Sequence, residues 1–176
     1  MDNKLKFKHL NKDNWLEQES VIKHIVHVYP GGQQTPVTQS DWLDKFLEPK
    51  LPGTIPTEIA ELYEVARGCM LYGYFFYPLY TVGHNQLFLV LDSATVVKCK
   101  TLGMKNADKN NFLQRINYLL ELGQIDEEEK NRWEAVRALR NSIVHSTSQM
   151  LLPPNYALNG LYQIREDLTK LFPQDF

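Results

Sequence analysis

The chain is poor in cysteine. Its 176 residues hold two, Cys69 and Cys99, and neither belongs to a CxxC pair. A disulfide framework is therefore not indicated. Both read as small core residues of helices in a reducing cytoplasm. There is no long hydrophobic run: the most apolar stretch, Met70 to Val82, is short and broken by Pro78. A bilayer needs about 20 apolar residues in line, so no membrane role is expected. The opening MDNKLKFKHLNKDNW carries lysines with no apolar segment behind them, unlike a signal peptide, and a cytoplasmic location is expected. A strong charge of one sign is missing too. The formal net charge is -2, whereas a dedicated nucleic-acid coat is basic overall, so any RNA contact must come from a local patch. No Walker loop, GxGxxG, GxSxG or HExxH occurs, which removes most ATPase, dehydrogenase, esterase and zinc-protease readings. His24 and His27 stand three residues apart, but no Cys, Asp or Glu close in sequence completes a ligand set. Neither a metal nor another cofactor is expected.

What is present is the make-up of a globular domain, with 43% hydrophobic and 23% charged residues. Residues 1–53 are punctuated by Pro30, Gly31, Gly32, Pro36, Pro49, Pro52 and Gly53 and read as an N-terminal elaboration. Within them Lys4–Lys8 alternates like an edge strand or a loose arm. Trp15 to Tyr29 has near-helical spacing, with the pairs Val21-Ile22 and Ile25-Val26 leaving a strand open. Ser40 to Glu48 reads as a capped helix turning Trp42, Leu43, Phe46 and Leu47 inward. Residues 54–176 predict about five helices: Pro56–Tyr80, kinked or ended by Pro78 and Gly83; Asn85–Leu102, closed by Gly103; Lys109–Leu122, closed by Gly123; Asp126–Ser146; and Asn155–Phe172. Asp126 and Glu129 form a capping box, and Pro153-Pro154 forbids an unbroken continuation. The last helix should turn Leu158, Leu161, Ile164, Leu168 and Leu171 inward. The fold class expected is an all-α, up-and-down helical bundle. No repeat of 20–50 residues is present.

The stretch with chemical content is Arg137 to Ser146, RALRNSIVHS. On an ideal helix Val136, Leu139, Ile143 and Met150 share a face that should meet the core. Arg137, Asn141, His145 and Ser148 share a polar face. Ala135, Ala138, Ser142 and Ser146 form a strip of small residues that lets a neighbouring helix come close. Arg140 lies at the border of the apolar face, beside Val144 and roughly 140° round the helix from His145. Within one ideal helix the two do not face each other. A long arginine side chain, a distorted helix or a second copy of the helix must bring them together. Read without further context, the pair is more readily an arginine that caps the helix or pairs with a carboxylate and a solvated histidine.

The run Arg140-Asn141-Ser142-Ile143-Val144-His145, on a late helix after Trp133-Glu-Ala-Val-Arg-Ala-Leu139, resembles the signature of the HEPN superfamily of nucleases: Arg, then Asn, Asp or His, then His after several residues. The resemblance covers about residues 56–172. It implies metal-independent cleavage of RNA, whose 2′-hydroxyl sits beside each scissile phosphate. His145 would be the base, a role that suits a group titrating near neutral pH. Arg140 would hold the phosphoryl oxygens with paired donors, and Asn141 would orient His145 or the phosphate. The products would carry 2′,3′-cyclic phosphate and 5′-hydroxyl ends. The resemblance further implies a homodimer, a toxin–antitoxin or anti-phage setting, and an antitoxin or other regulatory protein as partner.

Substrate-binding candidates on the same helix are Arg137, Ser142, Arg132 and Lys130. Lys130, Arg132, Arg137 and Arg140 stand against Glu134 and could grip an RNA backbone, or they simply balance Glu127, Glu128 and Glu129. The aromatics Tyr72, Tyr74, Phe75, Phe76, Tyr77 and Tyr80 read mostly as core or dimer interface, with one or two tyrosines free to reach a substrate. His84 is a second titrating group but reads as a turn or cap residue. Two other readings stand beside the nuclease: a non-catalytic HEPN-like module binding RNA, nucleotide or protein, and a purely structural dimerisation domain.

Overall fold

The structure is a computed structural model and describes residues 7–174. Most of the alternating segment Lys4–Lys8 lies outside them; of its last two residues, Phe7 sets its ring edge-on to Phe76 at 5.6 Å. Among the described residues the chain is all-α apart from one short antiparallel pair of strands, β1 (Val26–Val28) and β2 (Gln34–Pro36). Those strands resolve the ambiguity of residues 15–29, which contain a single short turn of 3₁₀ helix at Ile22–His24 before β1. His27 on β1 meets Asp41 at 3.5 Å. Residues fourteen apart in sequence are brought together only because the β1–β2 turn folds back.

Six α-helices follow: α1 (Gln39–Leu47), α2 (Thr57–Tyr72), α3 (Leu79–Thr101), α4 (Phe112–Glu121), α5 (Glu127–Val144) and α6 (Pro154–Leu171). The starts of α1, α4 and α5 are capping boxes, Thr38 with Asp41, Asn111 with Gln114 and Asp126 with Glu129. Each satisfies backbone donors that a helix start leaves orphaned. The ends of α3 and α4 are set by Gly103 and Gly123, at φ +85° and +64°, a region costly for residues with a Cβ.

The junction of α2 and α3 differs from expectation. α2 stops at Tyr72, a turn covers Gly73 to Pro78, and α3 begins at Leu79, six residues before the predicted start. Gly83 does not end a helix. It lies inside α3, where a Cβ would sit 2.6 Å from Met70 Cγ and 2.7 Å from the Ala66 carbonyl oxygen. The glycine lets α2 and α3 approach closely as an antiparallel hairpin. Gly73 serves the same purpose against the Tyr80 ring.

α5 runs antiparallel to α6, as Lys170–Glu129 (3.0 Å) and Asp167–Arg132 (2.8 Å) require. α3 runs with α6, since His84 stacks near Tyr156 and Lys98 lies over Phe172. The four long helices α2, α3, α5 and α6 thus alternate in direction. Short α4 is clamped to α3 by buried Arg115, which donates to Thr95 Oγ1, to Asp92 and to the Ala107 and Asn110 carbonyls. A single apolar cluster holds the domain. Ile22, Val37, Trp42 and Phe46 from the N-terminal part belong to it together with Tyr63, Tyr80, Leu91, Ile116, Trp133 and Leu161. No helix of the described residues is long and apolar enough to cross a membrane.

Candidate functional site

α5 carries the motif, and its first half anchors it. Trp133 is 1% exposed and donates its indole N–H to Asp167 Oδ2 at 2.7 Å. Buried Glu129 closes the capping box and pairs with Lys170. Beyond Trp133 the helix changes character. Val136, Leu139, Ile143 and Met150 were expected in the core, yet all four are only half-buried, and of these only Val136 packs against the central cluster. Trp133 has taken the core position, and the described residues leave the last two turns only partly covered. Ala135, Ala138, Ser142 and Ser146 are exposed, so no helix of the same chain uses the small strip. Val144 is 52% exposed.

Arg140 is half-buried and held from two sides. Its Nη1 donates to Asn141 Oδ1 at 3.1 Å, and its guanidinium lies over the Phe88 ring, 5.6 Å from the centroid. A planar cation on an aromatic face is a preorganised donor. Asn141 also ties the two ends of the motif together, since its backbone carbonyl accepts the His145 N–H at 3.0 Å. His145 is the C-cap residue of α5 and exposed. Among the described residues its ring makes no ion pair or hydrogen bond, and nothing joins it to Arg140. The Asn141 side chain therefore positions Arg140, not the histidine ring. Arg137 is half-buried and Ser142 exposed, neither with a partner among the described residues.

The other two cations are engaged by acids. Lys130 pairs with Glu134 at 3.2 Å. Arg132 meets Glu128 at 3.2 Å and Asp167 at 2.8 Å. Burial works against the charge of Arg132, but the hydrogen bond and charge of Asp167 outweigh it and raise its pKa. Arg137 and Arg140 are thus free of such acidic partners among the described residues, unlike Lys130 and Arg132. Among the described residues no group of three or more His, Cys, Asp or Glu is placed to hold a metal.

Comparison with family models, with curated proteins and with solved structures finds no match for this chain.

Two residues near it were not singled out for this role by sequence. Asp167 is buried on α6 and accepts from Arg132, Trp133 and Gln163. His84 is neither a turn nor a cap residue: it lies within α3, 4% exposed, its ring 5.3 Å from that of Tyr156. The spacing Tyr80, His84, Leu87, Leu91 on one helical face was the available signal. Burial pushes the His84 pKa down to about 4 from 6.5. The folded state thus prefers the neutral ring. Its full contribution to stability is present above pH 6.5 and is lost as pH falls toward 4, where the unfolded chain takes up a proton that the folded one refuses. The expected loss by pH 4.5 is about 2 to 3 kcal/mol. Urea denaturation at pH 7.5 and 4.5, with His84→Gln as reference, measures it; equal pH slopes for the two proteins would refute a buried neutral histidine.

Proposed function

We propose that this chain is a metal-independent endoribonuclease that works as a homodimer, with Arg140 and His145 at each reacting centre. The observation that carries the reading is the run Arg140-Asn141-Ser142-Ile143-Val144-His145 at the end of a late helix of an all-α bundle, with its arginine preset and its histidine open to solvent. His145 takes the proton of the RNA 2′-hydroxyl. The oxygen attacks the adjacent phosphorus, the bond to the 5′-oxygen breaks, and that oxygen leaves with a proton taken from water. Arg140 meets the charge growing on the phosphoryl oxygens with donors that need no reorganisation. Fragments end in 2′,3′-cyclic phosphate and 5′-hydroxyl.

The incompletely covered face of α5 supports the same reading from a second side. Arg140 and His145 point away from each other on one helix. The last two turns of α5 leave Leu139 and Ile143 half-covered beside exposed Ala138, Ser142 and Val144. A second α5 packed on the small residues would cover them and bring one chain's arginine toward the other's histidine. A toxin–antitoxin or anti-phage setting, with a regulatory protein that silences the site, comes with the resemblance.

The test is cleavage of a labelled structured RNA in EDTA by the full chain, with end-group analysis. Fragments with cyclic phosphate ends are expected. Folded dimer that leaves several RNAs intact would transfer the reading to a non-catalytic binding module.

A further inference from the structure

Antiparallel packing places the start of α3 and of α6 beside the last turns of α5, and the Thr81 hydroxyl locks that end by donating to the Met150 carbonyl and accepting from the Leu152 N–H. Between the three helices lies a cavity of about 320 Å³, which the cleavage chemistry does not use. It is at the small end of ligand pockets and suits a ring rather than a chain segment. Leu87, Val136 and Ile164 give it apolar walls. Tyr156 stands at its edge, 51% exposed, at 35° to the His84 ring.

Its polar groups are few and specific. His84 forms no hydrogen bond among the described residues, and as a neutral ring it presents one N–H donor and one bare acceptor. Gly160 lets α6 pass close to that ring: a Cβ there would come within 3.2 Å of His84 Cδ2 and 3.3 Å of Nε2. Gln163 gives one amide N–H to Asp167 at 3.1 Å, which leaves its other N–H and its carbonyl oxygen. Asn159 adds a second carboxamide. At the far end Arg132 is matched by Asp167 and Glu128, and its Nε is buried without a partner. Neither charge is in excess. A carboxylate or phosphate would meet Asp167, and an alkyl chain would leave the imidazole and amides unpaired. The ligand that satisfies this lining is flat and uncharged, with donors and acceptors along its edge.

We propose that the cavity takes one unstacked base of an RNA strand, with Tyr156 against its face and His84, Asn159 and Gln163 on its edge. The proposal rests on the nuclease reading of α5. The Arg140 guanidinium lies over Phe88, which follows His84 by four residues on α3, a rise of about 6 Å along the helix axis. A base turned into the cavity keeps its own phosphate in that neighbourhood. Protein recognition of RNA sequence commonly works on such splayed-out nucleotides.

The test titrates the full chain with four homopolymeric RNA tetramers, methylated at every 2′-oxygen so that they cannot be cut, and with the four free nucleosides. The Trp133 indole N–H reports in the nitrogen-15 NMR spectrum, since it donates to Asp167 at the cavity end. One tetramer should shift it and bind at least about tenfold more tightly than the weakest; Tyr156→Ala should cost about tenfold in that affinity by loss of stacking. Gly160→Val, which fills the cavity, should abolish the preference. Circular dichroism checks the fold of both variants. Equal binding of all four tetramers, or binding unmoved by Tyr156→Ala, would overturn the proposal and leave cleavage by Arg140 and His145 standing. Binding of a nucleoside but of no tetramer would overturn it as well and assign the cavity to a soluble nucleoside. Selective tetramer binding by a chain that cuts no RNA would sustain the pocket and sink the nuclease.

Discussion

Arg140→Ala and His145→Ala should each abolish most RNA cleavage while leaving the fold in place. Loss of a positioned general base typically costs roughly a hundred- to ten-thousand-fold in rate, and loss of one preset oxyanion donor roughly a hundred- to a thousand-fold. His145 should show the larger defect if it is the base. Its exposed position at the end of α5 means that truncation opens no cavity, so the thermal midpoint should scarcely move. Arg140→Ala also removes a cation from the Phe88 face, worth about 0.5 to 2 kcal/mol. Arg140→Lys separates charge from geometry: it keeps the cation, loses the planar fork, and should fall between wild type and alanine. Mixing the two dead variants gives a sharper result. If one chain's arginine works with the other's histidine, mixed dimers retain one intact centre, and equal mixing should restore roughly a quarter of wild-type activity by random pairing. A mixture as inactive as its components would rule out a site shared across two chains. Cleavage undiminished in both single variants would remove the catalytic assignment altogether.

Asp167→Ala should be the most damaging substitution for stability, at roughly 3 to 5 kcal/mol. Both carboxylate oxygens are committed, Oδ1 to Arg132 at 2.8 Å and Gln163 at 3.1 Å, Oδ2 to the Trp133 indole at 2.7 Å. Removing the acid strands a partly buried guanidinium and a buried indole N–H at once, and an uncompensated buried donor is worse than one never placed there. The variant should therefore unfold at markedly lower urea. Asp167→Asn keeps an acceptor for one donor but turns an amide toward the others, and should lose less. A midpoint change equivalent to under about 1 kcal/mol for Asp167→Ala would mean that Arg132 and Trp133 find other partners and that Asp167 does not hold α5 to α6.

The helices and their ends were legible because they rest on local chemistry. Asp126 with Glu129, Gly103 and Gly123 act within a few residues of themselves, so the cap and the two stops fall where the sequence places them. The inward face of α6 was legible for the same reason: Leu161, Ile164, Leu168 and Leu171 repeat at the helical period and are buried. What failed depended on partners distant in sequence. Gly83 reads as a breaker in isolation, yet lies inside α3 because Ala66 and Met70 of α2 press on it. Val136, Leu139 and Ile143 repeat as a core stripe should, but Trp133 fills the core and, among the described residues, Leu139 and Ile143 stay only half-covered. Periodicity reports that a face is apolar and says nothing of what covers it. Asp167 carries no sign of its burial, and His84 only its place on the apolar face of α3, since a polar side chain is held inside by the groups that surround it. By itself the sequence determined an all-α chain with Arg140 and His145 near the end of one helix. Tertiary packing alone decided that Arg140 lies over Phe88, that His145 faces solvent, and that His84 looks into a cavity shared by three helices.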